Sequence, residues 1–206
     1  MGVVARERTL YEDVYDSVTK YAIESPGKAN FPTFLEMAGV PKVRFPLSAL
    51  DAGCGGGYGA LAFKEAGFGK VVMCDITDFG LAAEAKEAGI SFYQTPLWDS
   101  LHLVAGSVLG RRFDYVYCCD VLEHIPKEYT MLVISRLLEV TRKGLFLSIS
   151  HVRDVHGLWV GRPLHQTVES FVWWRDNLSV FGEMVECRDL MSFGLFYIRP
   201  GGRRAE

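Results

Sequence analysis

The stretch "ALDAGCGGGYGALAFKEAGFGKVVMCDI", residues 49–76, constrains the fold more than any other part of this 206-residue chain. A short apolar run carries Asp51, five glycines fall between positions 53 and 59, a helix-like segment follows, and a second apolar run closes the unit. Strand, turn, helix and strand in that order make a βαβ unit, which builds parallel sheet. The alternation then continues. "FPLSALDAG" and "KVVMCDI" read as the first two strands, "ISFYQTPL" as a third broken at Pro96, "FDYVYCCDVL" as a fourth and "LFLSIS" as a fifth. Between them "YGALAFKEAG", "FGLAAEAKEAG" and "YTMLVISRLLEVTRKG" have helical periodicity, with Gly67, Gly89 and Gly144 predicted as their stops.

Strands this uniformly apolar are buried on both faces, so helices must cover the sheet on both sides. The ending departs from that rule. "WWRDNLSVFG" reads as a helix, and "EMVECRDL" and "GLFYIRP" are joined by a turn around Met191 to Phe193, too short for a parallel crossover. The sheet therefore finishes as an antiparallel hairpin. Two helical segments, "YEDVYDSVTKYAIES" and "FPTFLEMAG", precede the first strand. The expected fold is doubly wound α/β: a mostly parallel seven-stranded sheet with an antiparallel C-terminal hairpin and helices on both faces. It forms one domain over residues 1–206, an N-terminal helical cap (1–44) on a core (45–206).

A formal net charge of −3 gives no broad basic footprint, which argues against nucleic acid and anionic membrane as partners. No apolar run of about 18 residues suggests a membrane span, and the N-terminus turns charged before a signal-peptide core develops. A cytoplasmic location is the expectation. The five cysteines are odd in number and lack paired metal spacing, and four lie in or beside apolar runs, where they act as small buried hydrophobes.

In doubly wound folds ligands bind at the C-terminal ends of the strands, near the switch in strand order. A glycine turn there admits a ligand close to the backbone and opens onto a helix N-terminus. Gly55, Gly57 and Ala60 fit the dinucleotide pattern G-x-G-x-x-A, with Asp75 at the expected distance. Asp51 points elsewhere: a carboxylate two residues before the first glycine repels a pyrophosphate and attracts an ammonium. S-adenosyl-L-methionine has an amine and a cationic sulfonium and no phosphate. Asp75, ending the second strand, suits the two ribose hydroxyls as acceptor.

"LDAGCGGGYG" followed by "VVMCDI" closely resembles the first two motifs of the class I S-adenosylmethionine-dependent methyltransferases, and "FDYVYCCDVLEHIP" resembles their fourth-strand motif. "LHQTVESFVWWRDNLSVFGEMVEC" is similar to the closing segment of the same group, so the resemblance spans residues 45 to 200. It implies that Asp51, Gly53 and Gly55 line the methionine end of the cofactor, and that Asp75 and Ile76 hold ribose and adenine. Trp98 and Asp99 occupy the family's place beside adenine, where Trp98 equally suits core packing. Asp120, Val121 and His124, at the fourth strand's end, would face the sulfonium and the entering acceptor. The product would be S-adenosyl-L-homocysteine.

Methyl transfer from a sulfonium requires mainly alignment, and a hydroxyl acceptor also needs a base. His151, directly after the fifth strand, and His124 are the candidate bases. His151, Arg153, His156, Arg162 and His165 form a locally basic stretch that would receive an acidic or phosphorylated acceptor, unless it is simply a solvated loop. Its histidines, five and nine residues apart, match no helix-face ligand pattern, so no metal is expected. The fourth strand ends in "CCDVLEH", without the Pro-Pro-aromatic motif of amino-methylating DNA enzymes. The expected function is methyl transfer to oxygen or nitrogen of a small molecule, anionic acceptors included. A cofactor-binding scaffold, a nicotinamide oxidoreductase and a non-methylating user of the same cofactor are the alternatives.

Overall fold

The computed structural model describes residues 2–17, 26–40, 46–99, 101, 104, 112–154, 157 and 160–201. Two helices come first, α1 (Val3–Ser17) and α2 (Pro26–Met37). Next come β1 (Ser48–Ala52), α3 (Tyr58–Glu65), β2 (Lys70–Asp75), α4 (Ala83–Glu87) and β3 (Ser91–Gln94). Then β4 (Phe113–Cys119), a 3-10 turn (Leu122–His124), α5 (Lys127–Glu139) and β5 (Thr141–Ser150) complete the parallel part. Helix α6 (Phe171–Leu178) and the pair β6 (Gly182–Asp189) and β7 (Phe193–Pro200) close the described chain.

The strands lie in the order β3-β2-β1-β4-β5-β7-β6. Strands β1 to β5 pair in parallel, and β7 runs antiparallel to both β5 and β6. The predicted hairpin is present, and its second strand is the one inserted against β5. Strand order reverses between β1 and β4, which are joined in the register Leu50 to Val116 and Asp51 to Tyr117. A cleft opens there at the strand C-termini.

Period-2 alternation sorts β4 between two cores. Val116 and Cys118 join Leu50, Val72 and Cys74 on one face, under Val133, Ile134 and Leu137 of α5 and Trp174 and Leu178 of α6. Tyr115, Tyr117 and Cys119 turn to the other face, with Phe31 and Phe34 of α2 and Phe63 of α3. Phe34 is fully buried, its ring centroid 5.2 to 5.9 Å from those of Phe31, Phe63, Tyr115, Tyr117 and Phe146. Burying such a ring stabilises by roughly 2–3 kcal/mol. Tyr117 Oη donates to Gly27 O at 2.6 Å, tying the start of α2 to the central strand. Cys54, Cys74, Cys118 and Cys119 are buried free thiols, and Cys187 is half-buried.

Three local expectations change. Of the two N-terminal helices, α1 sets Glu7, Tyr11 and Tyr15 on the cleft at the strand ends; α2 is a face helix, because its phenylalanines belong to the aromatic core, and its start, Pro26 and Gly27, reaches that cleft. Helix α4 is one short turn rather than the whole of "FGLAAEAKEAG". Gly144 does not stop a helix: α5 ends at Glu139, and Gly144 lies inside β5. Its role is steric, since a Cβ at this position would run into the ring and hydroxyl of Tyr197 on β7. Gly67 and Gly89 do follow α3 and α4 with left-handed backbone, φ 88° and 66°. Among the described residues, no helix is long and apolar enough to cross a membrane.

Candidate functional site

The glycine turn is wound tightly around the end of β1. Gly53 N–H and Cys54 N–H both donate to Cys74 O of β2, at 2.8 and 3.1 Å, which folds the chain back over the neighbouring strand. Gly53 has φ 73°, and a Cβ there would collide with the Val121 side chain beyond β4. A side chain at that point fails on both backbone and space. At Gly59 a Cβ would stand 2.6 Å from Asp51 Oδ2. Its absence lets that oxygen accept from Ala60 N–H, at 2.8 Å, in the first turn of α3.

Asp51 is buried at 4% exposure. Burial pushes its carboxyl up to about 7, against the pull of the Ala60 bond, and the charge of Asp75 adds to the rise. Asp75, half-buried at the end of β2, accepts from Gly55 N–H at 2.9 Å and from Ile76 N–H at 2.7 Å. Its carboxyl is also raised, again mainly by burial. Asp120 follows β4 with φ 52°, rare for a residue with a side chain, and its Oδ1 accepts from Ser148 Oγ at 2.7 Å.

These groups share a cavity of about 480 Å³, within the range of small-molecule sites. Its described lining includes the carboxylates of Glu7, Asp51, Asp75, Asp120 and Asp154, one arginine, Arg153, and no lysine. Such a wall suits a cationic ligand and is a poor host for a pyrophosphate. The residues present fit an adenosyl amino acid: acids and open backbone at β1 and β2, apolar Ile76, Leu97 and Trp98 alongside.

The structure brings Asp51, Gly53, Gly55, Asp75, Ile76, Trp98, Asp120, Val121 and His124 to this one cavity. Trp98 also packs on the core, its ring stacked on Tyr129 with centroids 5.5 Å apart and 20° between planes. Asp99 and His151 are not brought there. Asp99 is exposed, and its N–H turns back to Pro96 O at 3.2 Å. His151 is displaced by alternation: Ser150 and Val152 take the cavity side, and the ring between them takes the other. It lies against Phe171 at 5.8 Å, its Nε2 2.9 Å from where a Cβ on Gly194 would stand, and burial holds its pKa below the ordinary histidine value. His151 is thus not among the residues that line this cavity. His102 and His156 lie outside the described residues.

Of the other lining residues, the tyrosines of α1 were not singled out from sequence, whereas His165 of the basic stretch was. Tyr11 and Tyr15, four apart on one face of α1, look onto the cavity. Tyr15 Oη is 3.2 Å from the Cβ position of Gly55, and the ring also covers Gly80. The i, i+4 tyrosine pair was the available signal, though nothing in it says what it covers. His165 reaches the cavity from the loop before α6, its Nδ1 2.6 Å from Val152 O. Arg162 of the basic stretch is engaged instead with Glu7, at 2.9 Å.

Residues 50–145 match the profile of a family described as "Methyltransferase domain". The magnesium-protoporphyrin O-methyltransferase of Synechocystis sp. is 31% identical over 106 residues, 50% of this chain and 44% of that protein. The ribosomal protein L11 methyltransferase of Helicobacter pylori is 33% identical over 102 residues, 45% of this chain and 30% of that protein. The chain thus spans less than half the length of either curated relative. In structure, the magnesium protoporphyrin IX methyltransferase of Synechocystis PCC 6803, crystallised with bound S-adenosylhomocysteine (SAH), aligns with a TM-score of 0.61 at 20% identity. That alignment covers 87% of this chain and 84% of the other, and it shares the fold.

Proposed function

We propose that this chain, whose residues 50–145 match a "Methyltransferase domain" profile, is a class I S-adenosylmethionine-dependent methyltransferase that transfers a methyl group to an oxygen or nitrogen of a small acceptor. When bound, S-adenosyl-L-methionine supplies an electrophilic methyl carbon on a sulfonium and leaves as S-adenosyl-L-homocysteine. The single observation carrying the reading is the acid-lined glycine turn, where Asp51, Asp75 and Asp120 stand beside open backbone and no lysine lines the described wall. Asp51 faces the amine end, with Gly53 and Gly55 admitting the methionine portion against the backbone. Asp75 accepts from the ribose hydroxyls with the lone pairs its backbone donors leave over. Ile76 and Trp98 flank the adenine, while Asp120 and Val121 close the sulfonium side.

The acceptor enters between α1 and the segment after β5. There Tyr11, Arg153, His124 and His165 supply the polar groups. Arg153, the one arginine in the described lining, favours an acceptor carrying an anionic group. His124 replaces His151 as the base candidate for a hydroxyl acceptor. The protein's main contribution is to align acceptor oxygen or nitrogen, methyl and sulfur, which is worth several kcal/mol in such displacements. The chain works as a single cytoplasmic domain in this reading, its buried thiols staying reduced.

The test is a transfer assay with methyl-labelled cofactor and a panel of small hydroxy-, amino- and carboxy-substituted acceptors beside intact proteins. Label in a small product supports the reading. Label confined to protein would move the acceptor class toward that of the L11 relative. Cofactor binding without transfer would support the scaffold alternative.

A further inference from the structure

Glu123, His124 and His165 converge although sequence spacing gives no sign of it. One possible ligand atom from each lies within 4.8 Å of the others. The convergence is built by the backbone: Gln166 N–H and Thr167 N–H donate to Glu123 O at 2.7 and 2.9 Å, lashing the His165 loop to the 3-10 turn. The two imidazoles meet edge to face, with centroids 4.6 Å apart.

Glu123 is fully buried, its Oε1 accepts from Ser150 N–H at 2.8 Å, and its Oε2 has no hydrogen-bond donor among the described residues. A buried carboxyl oxygen left open in this way calls for a proton or a cation. His165 points to the cation. Its Nδ1 is 2.6 Å from a carbonyl oxygen, Val152 O, so that nitrogen must carry the hydrogen. In the neutral ring Nε2 then holds a bare lone pair, the tautomer that metal-binding histidines adopt when a carbonyl orients the ring.

We propose that Glu123, His124 and His165 form a binding site for a divalent first-row transition cation at the acceptor end of the cavity. Two imidazoles and a carboxylate are the donor set such ions take, and three ligands leave coordination positions open. His124 and His165 line the cavity, so the open positions face the acceptor, with Glu123 behind. Ligands about 2 Å from an ion stand roughly 3 to 3.5 Å apart, so the three side chains close inward by about 1 Å on binding.

The site stands on its own residues; its role rests on the methyl-transfer reading. There the ion would take over from His124, now a ligand, the task of activating an acceptor hydroxyl, binding it and lowering its pKa. The proton leaves to water, and the oxygen–carbon bond forms as the carbon–sulfur bond breaks, sulfur keeping the pair. Substrates with a hydroxyl beside a second oxygen donor are favoured, since they fill two open positions.

The test is calorimetric titration of the full chain, stripped by chelator, with Zn²⁺ and separately with Mn²⁺ and without cofactor. It compares wild type, His165→Ala and Glu123→Gln, the last retaining an oxygen for Ser150 N–H. One equivalent of either ion in wild type, weakened tenfold or more in each folded variant, supports the site. No saturable binding of either ion in wild type, or binding undiminished in a variant, overturns it. If Glu123→Gln does not fold, His165→Ala decides alone. A parallel titration of the stripped protein with S-adenosyl-L-methionine reads the proposed function separately, so metal binding without cofactor binding would sink that reading and leave the site standing.

Discussion

Replacing Asp51 by Asn should strengthen the fold and spoil the site. Inside the fold the carboxyl titrates at about 7, against an ordinary value of 3.8. Between those values the folded state holds a proton that the unfolded chain releases. Stability therefore falls as pH rises through this window, and the full penalty is present above 7. At about 1.4 kcal/mol per pH unit, the cost of ionising Asp51 in the fold grows by about 2–3 kcal/mol between about pH 5 and about pH 8. Asn has no such cost and keeps an oxygen for Ala60 N–H. Urea unfolding of both proteins at the two pH values should show the variant gaining on wild type by about that amount at the higher pH. Cofactor affinity should move the other way. An ammonium recruits the ionised carboxylate, so wild-type affinity should rise about eightfold from about pH 6 to about 7.5, below the α-amino pKa of about 8, while the variant stays weak and flat. A stability difference that ignores pH would refute the burial argument. An Asp51→Asn protein whose cofactor affinity still climbed with pH would refute the amine assignment.

Gly53→Ala meets both a left-handed backbone and the Val121 side chain, and should cost about 2 kcal/mol or more with loss of cofactor binding, read by thermal melting and titration. Gly144→Ala drives a methyl into Tyr197 on the far side of β5, so it should destabilise by about 1–3 kcal/mol while the folded fraction binds cofactor normally. His151→Ala should leave the transfer rate within about twofold, because the ring faces Phe171 and Gly194; a loss of about a hundredfold would return His151 to the chemistry.

The sheet was readable because its cues are local. Each strand from β1 to β5 is built around a short apolar stretch, and the turn around Met191 is too short for anything but a hairpin. The insertion of β7 between β5 and β6 has no such cue, since it depends on which edge of the hairpin meets the sheet. Gly144 misled for a similar reason: a glycine after a helical run suggests a stop, and only the packed Tyr197 shows why it is in a strand. At the cavity, Asp51, Gly53, Gly55 and Asp75 were legible because one turn carries them or ends beside them. Tyr15 over Gly55 and His165 beside Glu123 were not. These contacts join distant segments, and no periodicity records them. His151 sat at the right strand end and on the wrong side, a parity that depends on where β5 stops.

The acid-lined glycine turn is built for a cationic adenosyl amino acid rather than a dinucleotide. Calorimetric titration of the purified chain with S-adenosyl-L-methionine, S-adenosyl-L-homocysteine and NADH tests it most directly. Saturable binding of the two adenosyl amino acids at about one equivalent each, and none of NADH, is expected. Preferential binding of NADH, or no binding of either adenosyl ligand, would contradict it.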